Sequence, residues 1–308
     1  MATSAVRRRH SAFAAGLATI AMALGFAAIP AEAAPSSPRV DYVALGDSYT
    51  AGTGAGDLYR PPSTPCWQSH PGYVDIVDAD SLVTLAANRA CHGAVLSVNS
   101  PLYDNVIITP TVEQQLRDLT TSRLLTPQTE LVSLTAGGND VGVSRVLGAC
   151  ISSTMEACQA AVHLAVGALS SVGAALTQTY AAIHRAAPRA KIAVLGYPKL
   201  FDPNSPIQVM APERQILFNE ASTRLNATIA TAAATANVLY RANTQYVDVT
   251  QRFAGHEANS ISAPWLVLIL DPTLPPADAN FHPNLEGHVQ YAAALASAVS
   301  LPELARLP

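Results

Sequence analysis

The chain has 308 residues, with 18 basic and 22 acidic side chains and a formal net charge of −4. Beyond residue 33 the balance is 15 basic against 21 acidic residues, with two lysines and no basic cluster, which makes nucleic acids and other polyanions poor partner candidates. A mature chain of about 275 residues can bury the core of one large domain, so residues 34–308 are expected to form a single domain.

The first 33 residues have the pattern of a secretory signal peptide. The basic stretch RRRH at residues 7–10 precedes an apolar run at 12–28, and the small-residue motif AEA follows at 31–33. The apolar run is short for a membrane span of about 20 residues, and the cleavage motif argues against a retained anchor. We therefore expect cleavage near Ala33 and a secreted, extracellular protein. No later segment is expected to span a membrane, and the apolar stretch at 265–270 is too short.

Five short apolar runs after the signal peptide predict buried strands, each followed by a turn and then a helical pattern. The predicted strands are 42–45, 82–86, 130–135, 192–195 and 245–249. The predicted helices are 71–77, 111–124, 159–187, 212–236 and 284–300. This alternation predicts an α/β fold, a three-layer α/β/α doubly wound sheet of about five parallel strands. Such sheets bind ligands at the carboxyl ends of their strands.

Four cysteines in an exported chain predict disulfides rather than free thiols. Three pairings are possible, and Cys66–Cys91 with Cys150–Cys158 closes the shortest loops. A zinc site lacks the Cys-x-x-Cys or His-x-x-x-His pair that would support it. The glycine cluster at 52–56 lacks the spacing of a dinucleotide loop and is expected to let the chain curl beside Ser48. We therefore expect no metal and no cofactor.

Residues with acyl-transfer chemistry follow four of the five predicted strands. Ser48 comes after the first strand, Gly93 after the second and Asn139 after the third, while His282 follows the last across a long loop. A serine nucleophile needs a base, and an oxyanion needs donors from backbone N–H groups or a side-chain amide. Each residue alone is ordinary in a turn or on the surface. Their joint occurrence at four strand ends indicates a serine hydrolase.

The motifs that carry these residues resemble the signature blocks of a known family. GDSYTAG (46–52), GGND (137–140) and FHPNLEGH (281–288), with the weaker glycine block at Gly93, are similar to those of the SGNH hydrolases, also called GDSL lipases and esterases. The resemblance is nearest to the secreted actinobacterial branch typified by Streptomyces lipases and esterases. It implies a flavodoxin-like sheet, Ser48 as nucleophile and His282 as general base. It also implies an oxyanion hole formed by the N–H groups of Ser48 and Gly93 and the side chain of Asn139.

The chain departs from the family pattern at two positions. Many members carry an aspartate three residues before the histidine, where it orients the imidazole, and Ala279 stands there instead. Either the main-chain carbonyl of Ala279 or the carboxylate of Asp278 is expected to take that place. Relatives usually have a small residue where this chain has His92, which could narrow the site, touch substrate or lie on the surface.

The expected function is ester hydrolysis through an acyl-enzyme on Ser48. The apolar stretch before His282 could line an acyl-chain pocket, which favours lipid or fatty-acyl esters, or it could be a buried strand or the root of a lid. The alternative hypotheses are an acetylesterase or deacetylase of a glycan or other acetylated substrate, and a secreted binding protein that has lost catalysis. A glycan site would be expected to expose aromatic side chains, and the chain has only Trp67 and Trp265. The protein is expected to act as a monomer on a small-molecule or lipid ester.

Overall fold

The computed structural model describes residues 39–306 except 63, 105, 107–108 and 271–277. The expected signal peptide, residues 1–33, lies outside the described residues and stays a prediction. The segment Ser37–Pro308 forms one compact unit. The expected domain bounds, 34–308, stay a prediction as well.

A parallel sheet of five strands forms the centre of the fold, as predicted. In chain order the strands are β1 (Val40–Gly46), β2 (Leu58–Tyr59), β3 (Gln68–Ser69), β4 (Val83–Asn88), β5 (Leu131–Thr135), β6 (Lys191–Leu195) and β7 (Thr244–Val247). The central sheet has the order β4-β1-β5-β6-β7, while β2 and β3 form a separate antiparallel pair. Strands β1 and β5 are apolar and almost wholly buried because both faces of the sheet are covered.

Helices cover the sheet on both sides and make the three layers of the predicted α/β/α fold. They are α1 (Tyr73–Asp78), α2 (Val112–Thr121), α3 (Val143–Ser152), α4 (Met155–Ala186), α5 (Pro212–Tyr240), α6 (Leu285–Ala298) and α7 (Leu301–Leu304). Helices α1 and α6 pack together on one face, and α2, α3, α4 and α5 pack on the other. The strand order reverses at the β1–β5 pair, so the crevice above the carboxyl ends of these two strands is the expected ligand site of the fold.

One expectation from the sequence was that no segment after the signal peptide would be a candidate membrane span, and the long helix α4 does not meet it. By length and composition this helix is apolar enough to cross a bilayer. Alanine is its commonest residue, and the helix packs against α3, α5 and β6. The sequence predicted a helix at 159–187 in this place, as a packed helix rather than a membrane span.

Two disulfides fasten elements that lie near the carboxyl ends of the strands. One joins Cys66 to Cys91, and the other joins Cys150 in α3 to Cys158 in α4. The first lies two residues before Gly93, and the second joins the ends of two successive helices. This is the pairing with the shortest loops.

Candidate active site

Strand β1 ends at Gly46, whose backbone packs closely against β5 and is hydrogen-bonded to a side chain of α2. Gly46 has φ +132°, and a Cβ atom at this position would lie 2.3 Å from the carbonyl oxygen of Thr135 in β5. Only glycine allows this approach. The buried side chain of Gln115 accepts a hydrogen bond from the Gly46 N–H (2.7 Å) and donates one to its carbonyl (3.0 Å). The chain therefore leaves the sheet at a defined point just before Ser48.

The buried carboxylate of Asp47 organises the turn that carries Ser48. Its Oδ1 atom accepts hydrogen bonds from the Thr135 hydroxyl (2.6 Å) and the Tyr49 N–H (3.1 Å), and its Oδ2 atom accepts one from the Tyr197 hydroxyl. Burial raises the pKa of Asp47, while these three donors lower it. The oxygen of Tyr197 also accepts the Gly138 N–H (3.3 Å). Tyr197 thus links the turn of Ser48 to the turn of Asn139.

Ser48 and His282 lie in direct contact although 234 positions separate them in the chain. The Ser48 Oγ atom is 2.7 Å from the His282 Nε2 atom, and Ser48 is 7% exposed. Burial lowers the pKa of His282 to about 3, with a further lowering by the neighbouring His92. The imidazole is therefore neutral at neutral pH, and Nε2 can accept the serine proton.

The Nδ1 atom of His282 faces a main-chain carbonyl rather than a carboxylate. It lies 3.0 Å from the carbonyl oxygen of Asn280, so Nδ1 carries the proton and donates it. The carbonyl of Ala279 accepts the backbone N–H of His282 at 3.1 Å, and its proximity also raises the pKa of the imidazole. Asp278 lines the same cavity, but no hydrogen bond joins it to His282 among the described residues. The Asn280 carbonyl was not considered from the sequence.

Three candidate hydrogen-bond donors for an oxyanion lie at the carboxyl edge of the sheet, at Ser48, Gly93 and Asn139. Within the described part of the chain, neither the Ser48 N–H nor the Gly93 N–H is engaged in a hydrogen bond. Gly93 has φ +79°, a conformation that favours glycine. The side-chain amide of Asn139 uses one hydrogen in a 2.8 Å bond to the Ala94 carbonyl, which leaves the other available. Ala94 therefore orients Asn139 from the same loop that carries Gly93.

The loop that carries His282 is attached directly to the serine turn. The Tyr49 hydroxyl donates a 2.7 Å hydrogen bond to the carbonyl of Phe281, which has φ +63°. A Cβ atom on Gly54 would lie 2.3 Å from the Pro283 carbonyl oxygen. The glycine cluster after Ser48 therefore lets this loop pack close to the turn. Gln115 and Tyr197 were not singled out from the sequence because no local motif marks them, and Tyr49 was given no role although it lies within the GDSYTAG motif.

Two more histidines lie near the dyad. His288 is fully buried, and its Nδ1 atom accepts the Tyr73 N–H (3.3 Å) while Nε2 donates to the Thr53 carbonyl (3.1 Å). Burial lowers its pKa to about 4. His92 is partly buried rather than fully on the surface, and its ring centroid lies 5.4 Å from that of His282. His288 is structural, whereas His92 faces the site.

A cavity of about 840 Å³ extends from Ser48 and His282 between α3, α5 and the segment before the histidine loop. Most of its wall away from the dyad is apolar. These apolar side chains are Val143, Leu147, Ile151, Leu200, Val209, Phe218, Leu225, Leu268, Ile269, Leu270 and Phe281. Residues 268–270 thus line the cavity, in agreement with the hypothesis that the apolar stretch before His282 lines a pocket. Trp265 instead stacks on His256 with ring centroids 3.6 Å apart.

Comparisons with known proteins find relatives that span most of the chain. A family model described as the GDSL-like Lipase/Acylhydrolase family matches residues 44–290. A lipase of Streptomyces rimosus is 34% identical over 282 residues, which cover 91% of this chain and 94% of that protein.

Two crystal structures have the same architecture over most of their length. The extracellular lipase from Streptomyces rimosus superposes with a TM-score of 0.67 at 30% identity, covering 84% of this chain and 100% of that one. The phospholipase A1 from Streptomyces albidoflavus NA297 gives a TM-score of 0.68 at 28% identity, covering 84% and 98%. The comparisons agree with the expected family and fold class.

Proposed function

The chain belongs to the GDSL-like lipase/acylhydrolase family and is a carboxylic ester hydrolase, and on this premise we propose that it forms an acyl-enzyme on Ser48 with His282 as base. The observation that carries the proposal is the 2.7 Å contact between Ser48 Oγ and a neutral His282 Nε2. A hydroxyl in hydrogen-bond contact with an imidazole that is held by a third group has the geometry of an activated nucleophile.

In the first half of the reaction, Nε2 takes the Ser48 proton as Oγ attacks the ester carbonyl carbon. The new imidazolium is stabilised by the Asn280 carbonyl at Nδ1, which takes the place that an aspartate has in a triad. The negative charge that develops on the carbonyl oxygen is bound by the backbone N–H groups of Ser48 and Gly93 and by the Asn139 amide. The imidazolium then gives its proton to the departing alkoxide.

In the second half, water replaces the alcohol and the same groups act again. His282 removes a proton from the water as it attacks the acyl carbon, and the oxyanion donors bind the second tetrahedral intermediate. The imidazolium then returns a proton to Ser48 Oγ, which releases the carboxylic acid. Every proton in this cycle moves through Nε2, so no metal or cofactor is needed for the balance.

Fatty-acyl or other lipid esters are the proposed substrates, because the cavity beyond the dyad is apolar and large. A volume of about 840 Å³ with a predominantly aliphatic and aromatic wall suits an alkyl chain, whose burial is favourable by about 0.8 kcal/mol per CH₂ group. The relatives named as lipases and as a phospholipase A1 support the same substrate class. We also propose that the mature protein is secreted as a single monomeric domain, in keeping with the extracellular S. rimosus lipase.

A series of p-nitrophenyl esters with acyl chains from acetyl to palmitoyl tests this proposal. Wild-type protein should hydrolyse medium and long chains with a higher kcat/KM than the acetyl ester, and the Ser48→Ala variant should lose the activity on all of them. Turnover of the acetyl ester alone would assign an acetylesterase instead. Absence of any Ser48-dependent turnover in folded protein would favour the binding-protein reading.

A further inference from the structure

His92 lines the cavity beside the dyad and has no part in the acyl transfer just described. Its ring is tilted by 42° to that of His282, and the centroids lie 5.4 Å apart. The backbone N–H of His92 donates to the carbonyl of Trp67 (3.3 Å), and its Nδ1 atom lies 3.1 Å from the Thr53 hydroxyl oxygen. The ring is therefore held by Thr53, and the backbone of His92 is held by Trp67.

The hydrogen bond to Thr53 decides which ring nitrogen of His92 carries the proton. Thr53 is fully buried, and among the described residues its hydroxyl has no hydrogen-bond partner except Nδ1. If Nδ1 were the donor, the buried hydroxyl proton would have no acceptor, which is unfavourable. Thr53 therefore donates to Nδ1, and Nε2 carries the proton.

The ring of His92 is neutral at neutral pH and presents a free donor. Burial lowers its pKa, against a smaller raising effect of the Asp278 and Asp47 carboxylates. No residue in the described part of the chain accepts a hydrogen bond from Nε2, and this atom is not among the fully buried unpaired polar atoms. Nε2–H can therefore reach a ligand in the cavity.

The two parts of an ester must lie on different sides of the dyad. The acyl carbon bonds to Ser48, and the chain follows the apolar wall formed by α3, α5 and residues 268–270. The leaving oxygen must be within reach of His282 Nε2, which protonates it. His92 is one of the polar side chains that line the cavity, and its ring centroid lies 5.4 Å from that of His282. The alcohol part of the ester therefore leaves past His92.

We propose that His92 is a specificity-determining residue whose Nε2–H donates a hydrogen bond to a hydroxyl of the leaving alcohol. This inference rests on the proposed function and adds the alcohol class to it, since it selects esters of polyols such as glycerol over esters of simple alkanols. An alkanol has no second oxygen to accept this hydrogen bond, so its transition state gains nothing from His92.

Two esters of the same acid, 1-monobutyrin and ethyl butyrate, test the proposal. The ratio of kcat/KM for the glyceryl ester to that for the ethyl ester should fall about tenfold in His92→Ala, mostly through the glyceryl ester. His92→Gln keeps an N–H donor and should recover part of the ratio. His163→Ala, at an exposed histidine of α4 that does not line the cavity, should leave the ratio at the wild-type value.

A second variant separates recognition from a structural role. Thr53→Val keeps the His92 ring but removes the hydroxyl that fixes its proton on Nε2, so the glyceryl preference should fall while hydrolysis of ethyl butyrate changes less than threefold. An equal loss on both esters in His92→Ala and Thr53→Val would overturn the proposal and make His92 a support of the dyad. An unchanged ratio in all variants would overturn it too. If wild-type protein shows no Ser48-dependent turnover of either ester, the proposed function itself has failed.

Discussion

Asn139 offers a direct test of the oxyanion hole at the scale of single residues. One amide hydrogen is used by the Ala94 carbonyl, and the other is free to bind the developing oxyanion. Asn139→Ala should therefore lower kcat by about 10²- to 10³-fold with a small change in KM. Steady-state kinetics on a p-nitrophenyl ester measures this, with the exposed Asn99→Ala as the control. A loss of less than threefold in Asn139→Ala would remove it from the hole.

His288 predicts how the stability of the protein depends on pH. Its pKa is about 4 in the folded state because of burial, and its ordinary value is 6.5, so the unfolded chain binds a proton first as the pH falls. Its contribution is fully present above about pH 6.5 and is lost as the pH falls towards 4. At pH 5 the free energy of unfolding should be lower by about 2 kcal/mol from this residue alone.

Urea unfolding of wild type and His288→Gln at pH 7 and pH 5 measures that contribution. The variant is expected to be less stable at pH 7, because it loses the hydrogen bonds to Tyr73 and Thr53, but to change less between the two pH values. Equal changes in the two proteins would show that His288 is not the titrating group.

The sequence could propose Ser48, Asn139 and His282 as site residues because each stands in a short motif after a predicted strand. It could not identify the residues that hold them, since those contacts join distant positions without any periodicity. Tyr197 lies 150 positions from Asp47, and Gln115 lies 69 positions from Gly46. The contact of His282 with the Asn280 carbonyl accompanies the left-handed backbone of Phe281, which no sequence pattern indicated.

At the scale of elements, the close approach of the serine turn and the histidine loop depends on Gly54. This residue has φ +95°, and an added Cβ atom would overlap the Pro283 carbonyl oxygen at 2.3 Å and press on His282. Gly54→Ala should move the imidazole away from Ser48 and lower kcat/KM by at least about tenfold, together with the melting temperature.

Gly167→Ala is the matched control for that substitution. Gly167 lies exposed in α4 with open space around its Cβ position, so alanine should leave activity unchanged and stabilise the helix slightly. Activity and thermal unfolding of both variants are the measurements. Wild-type kinetics in Gly54→Ala would contradict the proposed packing of turn against loop.

The five strands and five of the helices could be predicted because long or strongly apolar segments carry their own signal. Helix α3 was missed since it contains Gly148 and its N-cap residue, Gly142, provides no side-chain cap. The β2–β3 pair and α7 are too short to give a pattern. The omission of α3 mattered for the candidate site, because this helix supplies one wall of the cavity beside Ser48 and His282.

At the scale of the whole molecule, the strand order explains why four distant motifs meet. Strands β1 and β5 are neighbours at the point where the order reverses, so Ser48 and Asn139 follow adjacent strands. The loop after β4 brings Gly93 to the same rim, and the long segment after β7 returns His282. The sequence predicted this rim from the strand–helix alternation, but it could not give the shape of the cavity, which four separate segments build.

The most direct test of the central claim is to locate the adduct of an alkyl fluorophosphonate by peptide mass spectrometry. The reagent reacts with a serine that is activated by a base beside an oxyanion hole. The folded wild-type protein should carry one adduct, on Ser48, and Ser48→Ala and His282→Ala should carry none at the same reagent concentration. Folded wild-type protein without an adduct, or with its adduct on another serine, would contradict the assignment of Ser48 as the nucleophile.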